Sequence, residues 1–284
     1  MHEPRLLQTV DGNHSQKNLL EFLNSTTNKD NFGKRLLSLS VVPEDYQLEC
    51  LKQIAHFLSN SNYNSFSSYV SSKRNPDYSI SELRDRLIKF KPMDCFEFAF
   101  LFNQILPDLG FKNIEIYGAN FSSSPPNTEF NHTAIIINNK YILDPYNNFK
   151  DLVEIKENEE FQDKRGRRYL ISLSENGFSL TYNSSTTNQL KTVEFNQILE
   201  SEIELTFKKY IEEDMWKILY ASHGDGNPKW LTYDSKTGSF NSNVEILNQP
   251  VNLNHPEEFY RTIFKEFQDY SLVRDVKFLI EFSN

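Results

Sequence analysis

The hydrophobic period of this chain changes at Gly110, and that change limits what the chain can fold into. Before it, apolar residues recur three and four apart: Leu48, Leu51, Ile54, Ala55 and Leu58, then Phe98, Phe102, Ile105, Leu106 and Leu109. That spacing predicts helices with one buried face. After it come "NIEIYGANF", "HTAIIINN" and "KYILDPY", short blocks of β-branched and aromatic residues bounded by Asn, Gly and Pro, which predict strands. A run of helices followed by a run of strands is the signature of an α+β fold with an antiparallel sheet.

The segment "VPEDYQLEC" places Pro43 and Glu44 in a helical first turn, and a second helix is expected over about Ser81–Phe90. Between them the Ser/Asn-rich "SNSNYNSFSSYVSSKRNPDYS" reads as a loop with one short element. Beyond residue 160, "RRYLISLS", "GFSLTYNS", "MWKILYAS" and "KWLTYDSKTGSF" predict further strands, with turns at Asn176-Gly177 and Lys236-Thr237-Gly238. Helices are expected near Phe195–Glu212 and His255–Tyr270, and "VKFLIEFS" closes as a strand. The charged run "KDLVEIKENEEFQDKRGRR" divides the chain into 1–155, a helical lobe with the core of the site, and 156–284, a β-rich second lobe with a C-terminal helix. With 38% hydrophobic and 14% aromatic residues over 284 positions, both lobes can bury a core.

Charge and cysteine usage remove several function classes. The net charge is −9 with Lys and Arg interspersed among Asp and Glu, so no basic stripe tracks a nucleic-acid backbone. No apolar run is long enough for a membrane span, and "MHEPRLLQTVDGNHSQKN" lacks the apolar centre of a secretory signal. The expected partners therefore include neither nucleic acid nor membrane. Cys50 and Cys95 form no CxxC pair and no Cys/His metal spacing, so a reducing, cytoplasmic setting is expected, with no metal and no cofactor.

Cys95 opens a helix. Asp94 and Glu97 fit a capping box of the D-x-x-E kind, and Gly110 ends the run. Unpaired N–H groups and the macrodipole at a helix start stabilise a thiolate and can donate to an oxyanion, although the two neighbouring carboxylates oppose the thiolate. A thiol nucleophile needs a base and an orienter. His132 begins the strand in "FNHTAIIINNKYILDPY", and Asp144 ends the next one. With a three-residue loop of Asn138, Asn139 and Lys140, Ile137 pairs with Tyr141, and Asp144 falls diagonally beside His132 on the same face. A two-residue loop places them on opposite faces unless a bulge restores the parity. Both remain open at this level. Cys50, within a helix, reads as packing, His56 as a helix histidine, His223-Gly224-Asp225-Gly226 as a tight turn, and Lys164, Arg165, Arg167 and Arg168 as a solvated junction.

The order D-C-x-E-F-A-x-L-F, L-x-x-L-G-F, N-H-x-A and Y-x-L-D-P, over about Phe90–Asn147, resembles the core of transglutaminase-like cysteine enzymes with a papain-like fold. The resemblance implies Cys95 as nucleophile, His132 as base and Asp144 as orienter of the imidazole. It implies acyl transfer or amide hydrolysis through a thioester intermediate, acting on a protein or peptide amide or on a small-molecule acyl substrate. Arylamine N-acetyltransferases are similar in size and lobe order, which implies an acyl donor such as a CoA or carrier-protein thioester. Lys91-Pro92-Met93-Asp94 stands where those enzymes carry an Arg-Gly-Gly approach. A second oxyanion donor is expected upstream, a Tyr or Gln between residues 41 and 80. A different expectation is an inert interaction module of the same fold.

Overall fold

The computed structural model describes residues 12–24, 31–74, 80–89, 91, 93–121, 130–147, 149–164, 166–183, 189–203, 205–206, 217–222, 229–234, 237–248 and 256–282. The N-terminal part is helical: α1 (Gly12–Leu23), α2 (Phe32–Leu37) and α3 (Glu44–Asn60) precede a two-residue strand β1 (Tyr63–Asn64), followed by α4 (Ser65–Arg74), α5 (Ile80–Ile88) and α6 (Cys95–Asp108). α3 starts behind Pro43 with Glu44 and Asp45 in its first turn, where negative charge suits the helix dipole. It buries Cys50, Leu51, Ile54, Ala55, Phe57 and Leu58, while Leu48 lies at the rim. α6 stops at Gly110, whose φ of +86° is the left-handed conformation that glycine adopts without strain.

The Ser/Asn-rich run is more ordered than its composition predicts, because α4 occupies ten residues of it. Asn64 caps that helix, its Oδ1 accepting from Phe66 N at 2.9 Å and Ser67 N at 3.3 Å. Phe66, Tyr69 and Val70 then bury against the C-terminal part. Tertiary burial of three residues overrides the loop propensity of the serines between them.

Beyond α6 the strands β2 (Ile114–Ala119), β3 (His132–Ile137), β4 (Tyr141–Leu143), β5 (Val153–Glu154), β6 (Glu160–Gln162), β7 (Arg168–Ser174), β8 (Gly177–Asn183) and β9 (Leu190–Ile198) form one antiparallel sheet. Its order is β5-β4-β3-β2-β9-β8-β7-β6. The segment between β4 and β5 meets the far edge, through the Phe149–Asp163 bridge and Lys150 N to Gln162 O at 3.1 Å, so the sheet curls into a barrel. Inside lie Ala134, Ile136, Ile142, Val153, Tyr169, Ile171, Phe178, Leu180, Val193 and Phe195. All six residues of β3 are buried, because Ala134 and Ile136 face that interior while Ile135 and Ile137 face the helices. Strands from both sides of residue 155 share this sheet.

A second sheet, β1-β10-β11-β12, joins β1 to β10 (Lys217–Ala221), β11 (Trp230–Asp234) and β12 (Ser239–Ser242). It packs on α4 and on two terminal helices, α7 (Glu257–Phe267) and α8 (Tyr270–Phe282), around Phe66, Tyr220, Leu231, Ile263, Leu272 and Val276. The strand expected at "VKFLIEFS" is instead the end of α8: Leu272, Val276, Leu279 and Ile280 keep helical spacing. The helix expected from Phe195 begins only at Glu200, because Phe195 pairs with Phe178 and Ala119 and carries β9 to Ile198. The expected α+β class, with a helical N-terminal part and antiparallel sheets, is present. Among the described residues no helix is long and apolar enough to cross a membrane.

Candidate active site

Asp94 caps α6 and fixes where it starts. Its Oδ1 accepts from Glu97 N at 2.8 Å, and Glu97 Oε2 accepts from Asp94 N at 3.2 Å, so the capping box is complete. Phe98 N bonds Asp94 O at 3.0 Å and starts the helical ladder. The Cys95 and Phe96 N–H groups fall outside that ladder. Cys95, first residue of the helix, is 1% exposed. Thr133 Oγ1 donates to Cys95 O at 2.8 Å, which ties the start of α6 to β3.

The two carboxylates beside the cysteine are handled differently. Glu97 is paired with Arg86 of α5, a contact that spans eleven residues and leaves no mark in the sequence. Asp94 is fully buried, and burial, followed by the charge of Glu97, pushes its carboxyl up to about 7. Ser68 lies near the carboxyl, yet neither Asp94 Oδ2 nor Ser68 Oγ makes a well-formed hydrogen bond among the described residues. Near neutral pH Asp94 therefore carries only part of a negative charge.

The three-residue loop is the one formed: Ile137 pairs with Tyr141, and Asn138 and Asn139 take left-handed φ values of 56° and 52°, which Asn tolerates. The parity this sets brings His132 Nε2 to 2.9 Å from Asp144 Oδ2. Cys95 lies beside the imidazole, near enough for its charge to act on the ring, and with Nε2 engaged by Asp144 the nitrogen left for the sulfur is Nδ1. Burial disfavours imidazolium, but the charges of Asp144 and Cys95 and the hydrogen bond to Asp144 outweigh it and raise His132 to about 10. Asp144 is held below the usual carboxylate range: burial raises it, and the His132 charge and hydrogen bond, with further bonds from Asn147, overcome that. The three residues singled out from the sequence thus meet at one point, in an arrangement suited to a thiolate–imidazolium pair.

Sequence reasoning missed the wall around this centre. His132 is boxed by Phe121, Tyr146 and Phe195, with ring centroids 5.2, 5.5 and 6.0 Å away. Tyr63 Oη lies 3.5 Å from Cys95 Sγ. Asn147 was legible in principle, since Asp-Pro-Tyr-Asn is an Asx-turn signal. Gly118 has a steric reason: a Cβ there meets the Phe130 ring at 2.8 Å, and Phe130 in turn packs on Phe96 next to the cysteine. A cavity of about 330 Å³ beside the site is lined by Met93 and Pro145, the near neighbours of Cys95 and Asp144, together with Lys89, Lys91 and Tyr270.

The other candidates lie elsewhere. Cys50 is fully buried, and burial pushes its thiol up to about 12, an inert packing cysteine. His56 is exposed on α3 beside Asn60. Arg167 stacks over Tyr182 at 5.2 Å and Lys164 bonds Asn60, while Arg165 and the segment His223–Gly226 lie outside the described residues. Among the described residues no three His, Cys, Asp or Glu side chains gather as metal ligands.

No protein-family model and no curated protein sequence matches the chain. Solved structures do match. A cysteine-to-glutamine variant of the Mycobacterium smegmatis arylamine N-acetyltransferase aligns with a TM-score of 0.58 at 12% identity, covering 89% of this chain and 98% of that one. The arylamine N-acetyltransferase of Salmonella typhimurium aligns with a TM-score of 0.54 at 15% identity, over 92% and 98%. The Mycobacterium marinum enzyme in complex with CoA aligns with a TM-score of 0.54 at 12% identity, over 82% and 92%. The chain shares their fold, α+β with a papain-like core, over nearly the whole of each.

Proposed function

We propose that this protein is a cysteine acyltransferase working through a Cys95–His132–Asp144 triad and a thioester intermediate. The observation that carries the reading is the buried cluster in which His132 Nε2 is held by Asp144 at 2.9 Å with Cys95, at the start of α6, beside the same imidazole. In the proposed cycle the thiol proton rests on His132 Nδ1, and Asp144 holds the ring and offsets its charge. Cys95 Sγ attacks the acyl carbon of the donor, the S–C bond forms, and the carbonyl electrons move onto oxygen. The Cys95 and Phe96 N–H groups donate to that oxyanion. Collapse expels the leaving group, which takes the proton from His132. The acceptor, an amine in the transfer reaction, gives a proton to His132 as it attacks the thioester, and Cys95 is released. Water in place of the amine makes the same site a hydrolase.

The solved neighbours are named arylamine N-acetyltransferases, one of them bound to CoA, so the donor class favoured here is a small-molecule thioester and the acceptor class an arylamine. In this reading 1–155 carries all three residues, and 156–284 supplies four strands of the barrel and, together with β1 and α4, builds the C-terminal lobe. A reducing, cytoplasmic setting suits a working thiolate.

The test is acylation of the protein itself. Incubation with p-nitrophenyl acetate or acetyl-CoA is expected to add one acetyl group to Cys95, visible by intact mass and peptide mapping, and an added arylamine is expected to remove it. Cys50 serves as internal reference. Folded protein whose Cys95 stays unmodified by either donor, and whose alkylation is no faster than that of Cys50, sinks the acyltransferase reading in favour of an inert module.

A further inference from the structure

The acyl-transfer cycle makes no use of the cavity of about 330 Å³ beside Met93 and Pro145. Cys95, His132 and Asp144 do not line it, and neither do Phe121, Tyr146 and Phe195, the rings that box the imidazole. It is a second concave site, formed where the end of α3, the α5–α6 link, the turn after β4 and the α7–α8 link meet. Its size suits a small organic molecule. Phe57, Leu58 and Met93, core residues each less than a tenth exposed, give it an apolar wall.

Its polar side is cationic, and one cation is left over. Lys89 and Lys91 both line the cavity, and Lys89 Nζ is paired with Asp85 at 2.7 Å. The two arginines whose charge reaches Lys91 are matched as well, Arg86 by Glu97 and Arg274 by Asp275 at 3.0 Å. The Lys91 ammonium makes no ion pair and no hydrogen bond among the described residues. The charge of Asp275 reaches it, but that carboxylate is already engaged by Arg274 and by Ser67 Oγ at 2.7 Å. Burial, then the positive charges of Arg274, Arg86 and Lys89, lower the Lys91 pKa from its ordinary value, the sign expected of a cation short of a counter-ion. Asp269, the carboxylate among the described lining residues, is committed elsewhere. It caps α8, with Oδ1 accepting from Ser271 N at 2.8 Å and Leu272 N at 3.2 Å, while Oδ2 accepts from Tyr220 Oη at 2.9 Å.

We propose that this cavity binds a small organic monocarboxylate with an aryl or short alkyl body, its carboxylate on Lys91 and its body against Phe57, Leu58 and Met93. The inference does not depend on the acyl-transfer reading. An apolar wall beside a cation without a partner selects a ligand that is apolar at one end and negative at the other. One uncompensated positive charge matches one negative charge. A second, as on a phosphate monoester, has to draw Lys89 away from Asp85 and meets the charge of Asp269 in the same cavity. A neutral ligand leaves Lys91 without a counter-ion, and a cationic one adds to the repulsion. Met93 and Pro145 adjoin Asp94 and Asp144 in the chain, so the occupant lies close to the supports of the triad without touching the triad itself.

The probes are 2-naphthoate, its neutral counterpart 2-naphthamide and 2-naphthyl phosphate, each titrated by calorimetry into wild type, Lys91→Met, Lys91→Arg and Ser61→Phe. Lys91→Met keeps an apolar stem and removes the charge. Ser61→Phe adds bulk to the cavity lining and leaves Lys91 in place. Melting curves check that each variant is folded. Wild type is expected to bind naphthoate more tightly than the amide by about tenfold or more, the scale of one charge-assisted hydrogen bond. Lys91→Met is expected to lose that preference, Lys91→Arg to keep it, and Ser61→Phe to weaken both compounds. The phosphate is expected to bind wild type more weakly than naphthoate. Folded wild type that binds no naphthoate, or binds acid and amide alike, overturns the assignment. So does naphthoate binding unchanged in either Lys91→Met or Ser61→Phe, which puts the probe elsewhere on the protein. Tighter binding of the phosphate than of naphthoate overturns the monocarboxylate as the ligand class.

Discussion

Asp144 holds His132 from within a turn that it builds itself. One carboxylate oxygen accepts from the backbone N–H groups of Tyr146 at 2.8 Å and Asn147 at 3.0 Å; the other accepts from His132 Nε2 at 2.9 Å and Asn147 Nδ2 at 2.6 Å. A buried carboxylate with four donors has little freedom to rotate, and it passes that fixity to the imidazole. Pro145 starts the turn immediately after Asp144, so the local sequence that ends β4 also orients the candidate base.

Asp144→Asn retains the shape and the turn but offers His132 a neutral partner that can also present a donor. The raised affinity of the imidazole for its proton is largely lost, and the ring is free to take the wrong tautomer. Acylation of Cys95 is expected to fall by roughly 10³- to 10⁴-fold, as when the third member of a triad is neutralised. Burst kinetics read the loss. A fall of less than tenfold removes Asp144 from the proposed role.

His132 binds its proton more tightly in the folded protein, where it is raised to about 10, than in the unfolded chain, where a histidine titrates near 6.5. The sign follows: the folded state holds the extra proton, so this contribution is fully present below about pH 6.5 and is lost as pH rises toward 10. Asp144 has the opposite sign, depressed when folded, and its contribution is lost as pH falls below the ordinary carboxylate range. Because that proton is the one Cys95 gives up in the charged pair, folding takes up no net proton here while an unfolded thiol still holds its own, so urea unfolding of wild type is expected to show stability declining from about pH 8.5 to 10. His132→Gln, measured in parallel, is expected to flatten that slope. Equal slopes in the two proteins contradict the raised imidazole.

The meeting of Cys95, His132 and Asp144 was legible because each sits where local rules act: a capping box, a strand start, and a turn whose loop length sets parity. Only the loop length was undetermined, and the two Asn residues able to adopt left-handed φ decided it. Tyr63, Arg86 and Phe195 were not legible as site residues. Each reaches the centre through long-range packing that no short window of sequence records. The same cause explains the misread elements, since α4 and the end of α8 are helical on account of the core they share, and β9 is drawn out by its partners β8 and β2.

Arg86 and Glu97 form a nearly buried pair, with side chains 11% and 1% exposed. Removing one member strands the other's charge, so Arg86→Met is expected to destabilise by about 3–5 kcal/mol. Arg86→Met with Glu97→Gln removes both charges and is expected to recover much of that loss. Denaturant titration of the three proteins measures the coupling. Additive losses contradict a pair that matters mainly by neutralising Glu97 beneath the cysteine.

Asp94 carries two tasks that conflict. As N-cap its carboxylate accepts the Glu97 N–H, yet it does so fully buried and beside Glu97, which raises it to about 7 against 3.8 in its unperturbed form. Its protonated form is favoured by folding, so the protein loses stability as pH rises from about 4 through about 7. Asp94→Asn keeps a good N-cap acceptor, because Asn and Asp are near-equal there, and removes the charge. The variant is expected to be more stable than wild type above pH 8, by a margin that vanishes near pH 4 and reaches at most about 4 kcal/mol. The same change takes a negative charge away from the Cys95 thiolate, so alkylation of Cys95 is expected to speed up above pH 7 and stay unchanged below pH 5. Urea midpoints and alkylation rates over pH 4–9 give both curves from one preparation. A stability difference that does not grow with pH means that Asp94 is not the buried, proton-holding cap the structure describes.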